Sequence, residues 1–158
     1  MISLSLALKR WVKYVAVLLV VFVLCWQNSY DSTTVTNTTV GIVQKLSHML
    51  GKDLEYTEKL YYLIRKSGHG LVFLILAFAG HLAIAETATS MRATILTSAI
   101  MGIMISILTE LLQSYIFDRR TSLVDAGINI AGTVLGILLG LLYEWLRKLI
   151  ASRKAETV

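Results

Sequence analysis

Four stretches of this chain, residues 11–27, 67–85, 93–116 and 124–143, are dominated by apolar side chains. Each holds at most one lysine, arginine, aspartate or glutamate. Runs of this length match the roughly 20 residues that a helix needs to cross a bilayer. Together they make up about half of the 158 residues. The expected fold is therefore all-α: an integral membrane protein, one domain over 1–158, with a bundle of four transmembrane helices. Composition agrees, with 56% hydrophobic residues, 16% charged residues and no proline.

The formal net charge of +5 raises the question of nucleic acid as a partner. The basic residues lie instead at the ends of the apolar runs, where they anchor helices and set orientation, so no nucleic-acid partner is expected. Cys25 is the single cysteine. It excludes a disulfide framework, and Leu24 stands where a lipoprotein box requires a small residue.

Lys9, Arg10 and Lys13 open the first run, a pattern shared with cleavable signal peptides. The sequence that follows, Trp26-Gln27-Asn28-Ser29-Tyr30, offers no small-x-small cleavage site, so the run is read as a retained anchor. Residues 28–40 are rich in Ser, Thr and Asn and read as a loop. From Val40 to Leu63 apolar residues recur at helical spacing among charges. That segment reads as an amphipathic interfacial helix, broken near Gly51, so that 28–66 forms an extracytoplasmic loop and amphipathic segment. Four spans place both termini on one side. Eight of the fifteen Lys and Arg residues fall on that side, most densely at the termini, so both termini are assigned to the cytoplasm and the protein to the cell membrane.

The unusual polar residues share one end of this topology. Arg65, Lys66 and His69 open the second span, Glu110 and Gln113 lie near the end of the third, and Arg119, Arg120, Asp125 and Asn129 follow into the fourth. Alternating helix directions bring all of them to one membrane face. Spacings of three or four put Arg65 with His69, Glu110 with Gln113, and Asp125 with Asn129 on shared helix faces. Below Asn129 the face continues as Gly132, Gly136 and Gly140, and the third span carries Ser98, Gly102, Ser106 and Glu110 at the same spacing. Small residues let helix backbones approach closely in lipid, so the third and fourth spans are expected to pack along these two stripes.

Ionisable groups within a span are costly unless paired or wetted. One reading is a structural network that pins helix ends. The other is a site whose residual positive charge receives an anionic headgroup. His69, Glu110 and Asp125 are the candidate acid–base groups if the site is catalytic. No His-x-x-x-His or paired-ligand spacing supports a metal, and no cofactor is expected. His81 lies about 18 Å from His69 at the helical rise, outside the cluster.

These residues resemble a known family. Arg65-Lys66-Ser67-Gly68-His69, followed by Phe73 and Leu76, is similar to the first motif of the VanZ-like membrane proteins. Glu110-Leu111-Leu112-Gln113, then Arg119, then Asp125 through Gly132, resembles their second and more specific motif. The region from Gln27 to Ser32 is similar to their Ser-Gln and Ser-rich loop, so the resemblance spans roughly residues 20–145. Gly70 departs from the usual aromatic, Val72 from the Glu of some members and Phe73 from the common Tyr, leaving no acidic or phenolic group at those positions beside His69. The family's namesake is associated with resistance to teicoplanin and related glycopeptides at the bacterial cell envelope. The resemblance implies a protein of the bacterial envelope, and the residual positive charge adds the first reading: binding of an anionic lipid or lipid-linked cell-wall precursor through Arg65, Lys66, Arg119 and Arg120. Against this stand a membrane-embedded enzyme acting on such a lipid, with an arginine clamping phosphate, and a transporter or flippase component, for which four short spans leave room only in an oligomer. The balance leans away from catalysis.

Overall fold

A computed structural model describes residues 4–25, 29–115 and 122–156, and among them the chain is helix joined by turns and short irregular links. The order is α1 (Leu4–Cys25), α2 (Ser29–Met49), α3 (Glu58–Ala85), α4 (Met91–Ser114) and α5 (Leu123–Glu156). Helices α3, α4 and α5 are each long and apolar enough to cross a membrane. Helix α1 is 22 residues long, with Lys9, Arg10 and Lys13 in its first half.

Local sequence sets the helix ends. Thr57 caps α3, its hydroxyl accepting from the Leu60 amide at 3.1 Å, and Ser90 caps α4 in the same way through Ala93 at 3.2 Å. Ser122 accepts from the Asp125 amide at 3.2 Å at the start of α5. Helix α2 ends just before Gly51, whose φ of +74° is the left-handed conformation that a side chain would disfavour. The break expected near Gly51 is therefore present.

The segment 29–40, which reads as a loop by composition, is instead the first half of α2. Its hydroxyls do not compete with the helix. Thr36, Thr38 and Thr39 each donate to the carbonyl four residues earlier at 2.9 Å, so polar side chains are satisfied without unwinding the backbone. The expected second span also begins earlier: α3 starts at Glu58 rather than at residue 67, and α5 continues to Glu156, well past residue 143.

The packing inverts the arrangement of a soluble bundle. Among the fully or nearly buried side chains are His81, Thr94, Ser98, Ser106, Thr109, Glu110, Gln113, Asn129 and Thr133. Meanwhile Leu96, Ile100, Met104, Ile107 and Leu111 form an exposed stripe along α4. In lipid the tails are as apolar as leucine, so helices associate through small and polar residues and leave large apolar ones outward.

Helix α3 is the hub, touching every other helix. With α1 it builds the apolar core of Tyr14, Val21, Phe73, Leu76 and Ala83, against which Met101 and Ile105 of α4 pack. Helix α1 runs antiparallel to it. Tyr14 packs on Gly80, where an added Cβ would meet the ring at 2.9 Å, and Val21 and Leu24 reach the other end of α3 around Arg65 and His69.

The closest association is between α3 and α5, which corrects one expectation. The stripe of Gly132, Gly136 and Gly140 does not face α4. Gly132 lies on the Gly70 carbonyl, Gly136 on the Leu74 carbonyl, and Gly140 on the His81 ring. The face of α5 toward α4 is offset by one position, at Asn129 and Thr133. Two members of the stripe expected on α4 line that seam, Gly102 against Thr133 and Glu110 bonded to Asn129, whereas Ser98 lies 3.4 Å from His81 of α3.

Candidate functional site

The starts of α3 and α5 and the end of α4 meet at one end of the bundle, and the polar residues there resolve into three groups. The first joins α4 to α5. Glu110 and Asn129 are 6% and 1% exposed. The Asn129 amide donates to Glu110 Oε1 at 3.3 Å, and the Ser122 backbone amide donates to Glu110 Oε2 at 3.3 Å. Two donors from the start of α5 thus converge on one buried carboxylate.

The second group joins α3 to α5. Lys66 forms an ion pair with Asp125, both side chains mostly buried, and its ammonium lies 5.2 Å from the Tyr62 ring centroid. This pair consumes the charge that the sequence offered to a ligand at Lys66.

The third group is a cleft of about 210 Å³ between α1, α2, α3 and the end of α4. Arg65, His69 and Gln113 supply its ionisable and amide groups. Ser32, Thr36 and Thr39 of α2 line one side, and Val21, Leu24, Val72 and Phe73 form the apolar remainder. Arg10, Lys66 and Arg147 each pair with a carboxylate, whereas Arg65 lines the cleft without a carboxylate partner among the described residues.

The sequence-derived cluster is therefore brought to one end but divided by helix face. Arg65, His69 and Gln113 share the cleft, Glu110 and Asn129 share the α4–α5 seam, and Lys66 and Asp125 pair with each other. Arg119 and Arg120 lie outside the described residues. Sequence reasoning misses Ser122, although Ser-x-x-Asp before an apolar run is a helix-start signature. It also misses the α2 wall, because the composition of that segment is that of a loop. Among the described residues no three His, Cys, Asp or Glu side chains gather in a group that could hold a metal.

The opposite end of the bundle carries a second ionic group. Arg10 pairs with Glu86 at 2.8 Å and donates to the Leu82 carbonyl at 3.0 Å, while Arg147 approaches Glu86 at 3.6 Å. It ties α1, the α3–α4 turn and α5 together. One turn inward, His81 is fully buried with Nδ1 3.4 Å from Ser98 Oγ.

No family model, curated protein or solved structure matches the chain.

Proposed function

We propose that this chain is a VanZ-like, multi-pass protein of the bacterial cell membrane that binds the anionic headgroup of a lipid or lipid-linked wall precursor in the Arg65–His69–Gln113 cleft. On this reading α1, α3, α4 and α5 are the four spans, and the cleft opens at the outer interface. Occupancy of the precursor there would reduce its access to teicoplanin-type glycopeptides.

The observation that carries the reading is the Arg65 guanidinium, without a carboxylate partner among the described residues, in a cleft whose remaining walls are largely apolar. A guanidinium presents a planar fork suited to phosphate, and beside an apolar wall its attraction is less screened than in water. The role of α1 as a fourth span is supported by its path: Arg10 meets Glu86 at one end, and Leu24 reaches the cleft at the other. Binding is favoured over acid–base chemistry because the carboxylates of Glu110 and Asp125 already accept hydrogen bonds from the bundle's own groups.

The test is lipid analysis of the full chain purified in detergent from bacterial membranes, wild type beside Arg65→Gln. Enrichment of anionic or wall-precursor lipid in the wild type, lost in Arg65→Gln at unchanged yield, is the expected result. Equal lipid content in the two proteins sinks the reading.

A further inference from the structure

The headgroup cleft is too small to hold a whole lipid. Its volume of about 210 Å³ falls below the roughly 300–1,000 Å³ of ordinary small-ligand sites. A second hollow of about 800 Å³ lies across α3 from it, bounded by α3 and α5 with Thr39 of α2 at its rim. Its walls include Leu63, Leu71 and Leu74 of α3 and Ile128, Ala131 and Leu135 of α5. These belong to helices long and apolar enough to cross a membrane, so this groove opens toward hydrocarbon.

The two hollows share three residues, Thr39, Ile64 and Gly68. Ile64 and Gly68 are one helical turn apart and form the crest of α3 between the hollows. Arg65 and His69 descend on the cleft side, and Leu71 and Leu74 on the groove side. At Gly68 the crest has no side chain.

That glycine is not explained by packing. The glycines of α5 at 132, 136 and 140 each abut α3, where a Cβ would collide. A Cβ on Gly68 would meet nothing within 4 Å among the described residues, and its backbone is ordinary helix. Glycine inside a helix is unfavourable by about 1 kcal/mol relative to alanine. Gly68 lines both hollows, and its missing side chain leaves a notch in the crest between the cleft and the groove beside Thr39.

We infer that an anionic lipid bound by its headgroup at Arg65 lays one hydrocarbon tail across the Gly68 notch and into the α3–α5 groove. The inference rests on the headgroup reading given above. It adds the route of the tail and identifies the occupant as a membrane lipid rather than a free phosphate. Lys66 does not compete for the headgroup at the groove rim, because it is held by Asp125. Within a bilayer an apolar groove gains little from hydrophobic transfer, since the alternative environment is also hydrocarbon. Selectivity therefore comes from the headgroup, and the groove positions the tail.

The test uses the full chain in nanodiscs of phosphatidylcholine containing a trace of photoactivatable phosphatidylglycerol with a diazirine in its tail. The same label on phosphatidylcholine is the reference, and crosslinked residues are mapped by mass spectrometry. Phosphatidylglycerol is expected to label Leu71, Leu74 and Leu135 above the reference, while the α4 stripe at Leu96 and Ile100 is labelled equally by both lipids. Gly68→Leu, which raises the crest between the two hollows, is expected to reduce groove labelling to the reference level. Leu135→Trp, which fills the groove from an exposed position, is expected to do the same without touching the α3 backbone. Enrichment in the cleft but never in the groove overturns the tail route and leaves the headgroup reading standing. Groove labelling that persists in both variants also overturns it. No enrichment anywhere, or enrichment indifferent to Arg65→Gln, sinks the headgroup reading itself.

Discussion

Asn129 of α5 donates its side-chain amide to the carboxylate of Glu110 on α4 at 3.3 Å, and both side chains are buried. The bond is the polar centre of the α4–α5 seam. Asn129→Ala should leave Glu110 with one described donor fewer and cost about 1–3 kcal/mol, as the loss of one partner of a buried charged group generally does. Glu110→Gln keeps an acceptor oxygen for Asn129 but turns its amide NH2 on the Ser122 N–H, and should cost a similar amount. Thermal unfolding of the detergent-purified proteins checks both, and a Glu110→Gln variant as stable as the wild type contradicts the prediction.

Lys66 and Asp125 make a different prediction. Removing one member of a mostly buried pair strands the other, and removing both does not. Lys66→Met and Asp125→Leu should each lower the melting temperature more than the combined variant does. The combined variant should retain anionic lipid, because the headgroup is assigned to Arg65. A double-mutant cycle with lipid analysis reads both parts.

The glycines of α5 separate into two kinds. Gly136 lies on the Leu74 carbonyl with no room for a methyl group, whereas nothing described lies within 4 Å of a Cβ on Gly127. Gly136→Ala should force α3 and α5 apart and lower the yield of folded protein in membranes. Gly127→Ala should be neutral or gain up to about 1 kcal/mol from helix propensity. Thermal stability of the two alanine variants side by side is the measurement.

At the other end, the two arginines on Glu86 are not equivalent. Arg10 is 12% exposed at 2.8 Å, and Arg147 is 53% exposed at 3.6 Å. Exposed ion pairs contribute roughly 0–1 kcal/mol. Arg147→Ala should therefore be nearly silent, while Arg10→Ala also removes the bond to the Leu82 carbonyl and should be clearly destabilising. Urea or thermal unfolding with Glu86→Gln as the common partner distinguishes them.

Orientation is open to direct chemistry. In a Cys25→Ser background, a cysteine at Lys52 should react with a membrane-impermeant thiol reagent added to intact cells. Cysteines at Thr89 and Ser152 should react only after permeabilisation. The opposite pattern would place the cleft in the cytoplasm.

The grouping of the polar residues at one end was legible because it needs only span directions, which alternate. Their division into three groups was not, because it depends on rotation about each helix axis. The glycine stripe shows the difference. Spacing of four told that Gly132, Gly136 and Gly140 share a face, but nothing in the pattern said whether α3 or α4 would occupy it. Helix α2 was hidden for another reason. Thr36, Thr38 and Thr39 have the composition of a loop, and only their bonds to carbonyls one turn earlier make them compatible with a helix.

The contact between Gly132, Gly136 and the α3 backbone also bears on the order of assembly. Helix α3 finds its closest partner not in its chain neighbour α4 but in α5, which leaves the ribosome after both. Until residues 123–140 have been synthesised, the backbone of α3 along Gly70 and Leu74 has only lipid or the insertion machinery beside it. The α3–α5 association is therefore committed only once α5 has emerged, and chains arrested before α5 should be recognised as incomplete by membrane quality control.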